Sequence, residues 1–180
     1  MYMRPIQTPP RTRGFTLVEV MVAVIVISVG LLGIASMQAL ALASTNNARM
    51  RSLAAIQAAS LASIMHVNRD YWAKTPPPTV GVAQTTITDG TGILNMSAPD
   101  CASAVCDAEH MAAYDFQAWV AALNSVLPNP TATILCPNGT PPLVCSIQIK
   151  WLETNAGLNK QALTTGSAIL DPTYQLYVQP

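Results

Sequence analysis

Charge is scarce in this chain. Only 10% of its 180 residues are Asp, Glu, Lys or Arg, and two are histidine. No charged side chain lies between Val20 and Ala48. There is no internal repeat, P-loop, G-x-S-x-G or H-E-x-x-H, so the spacings that cradle phosphates, build a nucleophile elbow or seat a catalytic zinc are missing. Nine basic residues balance nine acidic ones, and Arg4, Arg11 and Arg13 precede every acid. Beyond residue 14 six basic residues face nine acidic ones, a net of −3. That balance argues against a nucleic-acid surface, which needs clustered Lys and Arg to meet phosphates. The expectation is a chain that is not an enzyme, carries no cofactor and has no strong nucleic-acid signal.

What the chain has in abundance is apolar material, 51% of its residues, enough for one modest core plus a membrane segment. Val20 to Ala43 is mostly Val, Ile, Leu, Ala, Met and Gly. At the helical rise those positions make roughly 36 Å, enough to cross a hydrocarbon core of about 30 Å with a small tilt. The three arginines before the run, and the polar Ser44, Thr45, Asn46 and Asn47 after it, place the N-terminus in the cytoplasm and export the rest. The run is too long for an ordinary cleaved signal, and Ala41 to Ser44 is a weak cleavage site. An uncleaved signal anchor would explain the arginines and the hydrophobicity, but not Glu19.

Glu19 stands at the head of this run, one helical turn from Phe15. A carboxylate at that depth costs several kcal/mol unless it reaches the interface or finds a partner. Two readings stand side by side. An acid at a helix N-terminus is favoured by the helix dipole. Alternatively, a cut between Gly14 and Phe15 would create an amino group beside the carboxylate, and such an amine on a neighbouring copy would pair with it in a low-dielectric setting.

The stretch "RGFTLVEVMVAVIVISVGLLG", Arg13 to Gly33, resembles the class III signal of type IV prepilins: a basic leader, a glycine, then Phe-Thr-Leu-Val-Glu opening an apolar helix. The resemblance implies that an inner-membrane prepilin peptidase cuts after Gly14 and methylates the amine of Phe15. It also implies that the apolar segment is retained and that Glu19 contacts a neighbouring subunit's N-terminus during assembly. Many major pilins carry a proline midway along this helix, whereas here Gly30 and Gly33 are the sites of local weakening. They serve equally well for close helix packing.

Downstream, "RMRSLAAIQAASLASIMHVNRDYW" continues a helical pattern with Leu53, Ile56, Ile64, Val67 and Tyr71 as its apolar positions, ending at Pro76, Pro77 and Pro78. One helix from about Phe15 to Tyr71, roughly 85 Å long, is expected to pack the amphipathic face of its second half on a globular domain. Thr79 to Pro99 reads as a connecting loop with short strands at best, and "DGTG" at Asp89 to Gly92 as a turn rather than a calcium loop. "DAEHMAAYDFQAWVAALNSVLP" reads as a second helix, with Asp107 as N-cap and an inner face of Met111, Tyr114, Ala118, Trp119, Leu123 and Val126. "TATILC" and "LVCSIQIKWLE" flank a turn containing Asn138 and Gly139, with Cys145, Ile147, Ile149 and Trp151 on the buried side of the second strand. "TYQLYV", Thr173 to Val178, supplies a last strand at the edge or centre of a sheet of three or four.

Cys101, Cys106, Cys136 and Cys145 permit three pairings, and an exported region favours disulfides. The spacings fit two local loops, Cys101 with Cys106 and Cys136 with Cys145. Zinc with His110 is the rival, although these spacings match no strong metal-ligand pattern.

The expected fold class is therefore α+β and, by resemblance, type IV pilin-like: a long N-terminal helical spine on a small antiparallel sheet with a second helix. Its expected parts are a leader at 1–14, a membrane and assembly helix at 15–43, the periplasmic half of the spine at 44–75, and a disulfide-containing globular region at 76–180. "GLLG" with Gln38, the cysteine pair leading into "MAAYDFQAW", and the late "CSIQIKW" resemble PilV-type minor pilins. That resemblance implies a low-abundance subunit that primes pilus assembly in the inner membrane with other minor pilins, the major pilin and a tip adhesin, and so affects twitching and adhesion. A type II secretion pseudopilin and a tip binding module are the rivals.

Overall fold

The computed structural model describes residues 14–137, 143–153 and 172–180. In chain order they form helix α1 (Leu17–Val67), the single turn α2 (Arg69–Trp72), strands β1 (Thr79–Ala83) and β2 (Thr86–Asp89), helix α3 (Ala108–Val126), and strands β3 (Thr131–Leu135), β4 (Cys145–Lys150) and β5 (Thr173–Val178). The chain divides into two units between Leu42 and Ala43.

The first unit is the opening half of α1. Every described side chain from Gly14 to Leu42 is exposed, including Val20, Ile25, Leu31 and Met37. Uniform apolar exposure is untenable in water and normal in lipid. Among the described residues α1 is the one helix long and apolar enough to cross a membrane.

The second unit, Ala43–Pro180, is α+β, as expected. Its five strands form one sheet in the order β2-β1-β3-β4-β5, every pair antiparallel. Because side chains alternate along a strand, the register puts Val80, Ile134, Ile147 and Leu176 in one inward row and Val82, Ala132, Ile149 and Tyr174 in the next. A slip of one residue in any pairing would turn these rows to solvent.

The sheet thus has five strands rather than the expected three or four, because the short strands within Thr79 to Pro99 pair as a hairpin and join it. Its hairpin closes on Gln84 and Thr85, with Ala83 opposite Thr86. This turn lacks the Asn-Gly or Asp-Gly signature by which such hairpins are recognised. Instead Gln84 takes a left-handed φ of 54°, which a non-glycine residue adopts only when held. It is held by donating its backbone N–H to the Pro130 carbonyl at 2.9 Å and its side-chain amide to Asn129 Oδ1 at 3.3 Å. Both partners lie 45 or more residues downstream, out of reach of local sequence reading. The turn expected at Asn138 and Gly139 lies outside the described residues.

Helix α1 is also shorter than the expected Phe15 to Tyr71. Asn68 breaks it, with φ −107° and ψ 62°, and its side-chain amide donates to the Ala108 carbonyl at 2.7 Å. Buried Asn trades helical continuity for a tie to the start of α3. The buried stripe of α1 is Ala54, Ala58, Leu61 and Met65, whereas Ile56 and Val67 are 61% and 83% exposed. The inner face is therefore rotated from the one the bulky residues suggested. Two alanines leave room on this face of α1 for large side chains, and the volume is filled from the other side by α2 and α3. Tyr71, Trp72, Phe116 and Trp119 form a chain of rings with centroids 5.2, 6.2 and 5.5 Å apart, within the range of favourable aromatic contact. Trp119 Nε1–H donates to the Gln57 carbonyl at 2.9 Å, which satisfies the indole and fixes α3 along α1.

In α3 the buried residues are Ala112, Ala113, Phe116, Trp119, Val120 and Leu123. Of the expected inner face, Trp119 and Leu123 are buried, Met111, Tyr114 and Val126 are half-buried, and Ala118 is exposed. Asp107 caps the helix, accepting from the His110 backbone N–H at 2.8 Å and lying 2.7 Å from its ring Nδ1. The His110 N–H, then the His110 ring, hold the Asp107 carboxyl below its ordinary pKa. A depressed carboxylate stabilises fully above the ordinary carboxylate range, and that stabilisation is lost as pH falls through the depressed value. Asp107→Ala should therefore lower Tm at neutral pH. Asp107→Asn, which keeps an acceptor for the N–H, should preserve neutral Tm while reducing its fall in acid. Circular-dichroism melting across the acid range reads both.

Candidate functional site

The head of α1 is built from a short local pattern. Gly14, Phe15 and Thr16 precede the helix, and Thr16 Oγ1 accepts the Glu19 backbone N–H at 3.3 Å. A Thr followed three residues later by Glu is the sequence signature of a capping box, and its Thr half is formed here, which satisfies an otherwise orphaned N–H of the first turn. The signal was present in the sequence as T-L-V-E, so Thr16 was legible as the helix start. The helix begins at Leu17, two residues later than expected, and leaves Gly14 and Phe15 in non-helical chain, with Phe15 82% exposed. Glu19 lies in the first turn, where the helix dipole favours a negative charge. Among the described residues no cation pairs with its carboxylate. Geometry thus presents an accessible Gly14–Phe15 peptide bond and a charge-bearing acceptor one turn further on.

The remaining expected site residues lie in the second unit. Cys101 is bonded to Cys106, with Cα atoms 5.6 Å apart. Cys136 is bonded to Cys145, with Cα atoms 4.2 Å apart. The second bond joins the residue after β3 to the first of β4, and by loop length such a bond stabilises by about 3 kcal/mol. The first closes the loop that leads into Asp107. With all four sulfurs so joined, none is a thiolate for zinc beside His110.

Asp89 in "DGTG" is likewise occupied. Its carboxylate accepts from the Thr91 backbone N–H at 2.9 Å, the Thr91 hydroxyl at 2.8 Å and the Leu94 N–H at 2.9 Å. It folds the loop so that Leu94 is buried, and Gln117 Nε2 then pins the Leu94 and Met96 carbonyls. This is a turn, as the sequence suggested. Burial, then the Asp89 charge, raises the pKa of the Tyr71 phenol beneath it. A groove of about 320 Å³ beside this loop is lined by Thr85, Ile87, Asn95, Gln117, Val120 and Ala121. It offers no carboxylate, imidazole or thiol for acid, base or nucleophilic chemistry.

Residues 9–35 match the family model described as a prokaryotic N-terminal methylation motif. No curated protein and no solved structure matches the chain. The motif implies processing by a prepilin peptidase and association with pilin machinery. It covers Gly14, Phe15, Glu19 and the first two thirds of the apolar run, the segment whose geometry sets it apart from the rest of the molecule. With this motif heading the exposed apolar first half of α1, and an α+β unit following, the chain carries the N-terminal signature of type IV prepilin-like proteins.

Proposed function

We propose that the protein is a minor pilin, a structural subunit that primes or modifies type IV pilus assembly after cleavage between Gly14 and Phe15 and N-methylation of Phe15. Before cleavage the first half of α1 spans the inner membrane with the arginine-bearing leader in the cytoplasm and the disulfide-bonded unit in the oxidising periplasm. The protein then joins other minor pilins and the major pilin, near a tip adhesin, at the cell surface. Residues 1–14 are the leader, 15–43 the membrane and assembly helix, 44–75 the periplasmic half of the spine, and 76–180 the remainder of the periplasmic region.

The observation that carries this reading is Glu19. It heads a helix with no other charge before Arg49, and among the described residues it has no cation partner. The methylated amine of Phe15 on an adjacent subunit supplies that cation, and the pairing sets the axial register between packed helices. The two disulfides suit a subunit that leaves the cytoplasm and favour the pilus over the secretion-system version of the same scheme.

Mass spectrometry of the membrane-extracted protein should find N-methylated Phe15 as the first residue. An intact Met1, or a first residue at Ser44 after cleavage behind Ala43, would remove the reading.

A further inference from the structure

The inward face of the sheet is committed to the core. Its outward face is unusual in what it lacks. Among the described residues of the five strands, Lys150 is the one charged side chain pointing outward, whereas a soluble surface ordinarily mixes charges of both signs at about a quarter to a third of its positions. Register instead assembles Leu135, Ser146 and Tyr177 in one outward row and Thr133, Gln148 and Gln175 in the next. Rows along a strand are about 7 Å apart and neighbouring strands about 4.8 Å apart, a grid on the scale of one sugar ring.

The grid is partly pre-organised. Gln175 Nε2 donates to the Tyr177 hydroxyl oxygen at 3.0 Å, holding a phenol ring that is 67% exposed while leaving its O–H proton for an acceptor outside. The Thr133 hydroxyl sits on a β-branched side chain with little rotamer freedom. Order of this kind lowers the entropy lost on binding.

We propose that this outward face, centred on Tyr177 with Thr133, Gln148 and Gln175, binds an uncharged glycan. Complementarity of charge selects the ligand class. With a single cation and no carboxylate among the described strand residues, this face neither attracts polyanions nor pairs with charged peptides. A docked protein would need a broader apolar or Arg-rich centre than Leu135 and Tyr177 supply here, and Ser and Thr are under-represented in such centres. Amides and hydroxyls match the neutral donors and acceptors of a sugar, and the exposed phenol ring matches its apolar C–H face. The site lies wholly in the second unit, so it stands apart from the assembly chemistry of Glu19.

The test is a glycan array carrying neutral and anionic oligosaccharides, probed with the full chain in a detergent without a sugar headgroup. Neutral glycans should be retained, with retention falling about tenfold in Tyr177→Ala and in Gln148→Ala and less in Tyr177→Phe. Because both positions face away from the core, thermal melting of these variants should match the parent and separate lost binding from lost fold. The proposal is overturned by any of four results: no neutral glycan retained, retention of anionic glycans only, equal retention by a folded Tyr177→Ala, or sedimentation showing self-association that Tyr177→Ala abolishes.

Discussion

Glu19→Ala is expected to leave the leader cleaved and the protein in the membrane, yet to lower its recovery in sheared surface filaments by at least about tenfold. The physical ground is the asymmetry of buried ion pairs: removing one partner strands the other charge in a low-dielectric setting and costs about 3 to 5 kcal/mol. Tenfold corresponds to about 1.4 kcal/mol, so the stated loss is a lower bound that allows for bilayer thinning and water around the orphaned amine. Cleavage should survive because the Gly14–Phe15 bond lies outside the helix and its cap uses the backbone N–H of residue 19, which alanine retains. Glu19→Gln separates charge from shape: it keeps the side chain's length and should fail nearly as badly. Immunoblots of sheared and membrane fractions, with terminal mass spectrometry on each, read the two effects independently. Normal filament recovery by either variant would sink the proposed pairing.

Phe116→Ala is expected to be the most damaging single truncation considered for the second unit. The ring is fully buried and stands 6.2 Å from Trp72 and 5.5 Å from Trp119, so its loss opens a cavity where α2 and α3 meet. Truncations of buried Phe cost about 3 to 5 kcal/mol, and for a unit of this size Tm should fall by about 10 to 20 °C. Ile56→Ala is the matched control. Ile56 looks like a core residue in the sequence, but it is 61% exposed, and its truncation in the detergent-extracted monomer should move Tm by no more than a degree or two. Equal losses for the two variants would mean that the buried stripe of α1 is not Ala54, Ala58, Leu61 and Met65.

The contrast between those residues shows how far local pattern reaches. A helix in this region follows from helical periodicity over many turns, and its end near Asn68 from the tripled proline soon after. Which face is buried does not follow from hydrophobicity alone. Leu53, Ile56, Ile64 and Val67 are larger than the alanines that are buried, and the buried face carries alanines because Trp72, Phe116 and Trp119 bring the volume from elsewhere. In the same way Val80 and Val82 read as a fragment of loop, since the residues that hold the Gln84 turn belong to the Asn129–Pro130 segment.

By itself the sequence determined the head of the molecule: Gly14, the capping Thr16, the acid at Glu19 and the apolar run are neighbours along the chain, and their arrangement needs no distant segment to form. It also determined the alternation that makes β4 one-sided and the spacing that suits each cysteine to its close partner. Only the tertiary structure decided the five-strand order, the rotation of the α1 face, the break at Asn68 that ties to Ala108, and the gathering of Tyr177, Gln175, Gln148 and Thr133 on one outward surface. Those features depend on which distant segments lie side by side, and strand pairing and close packing are collective energies that no single window of the chain contains.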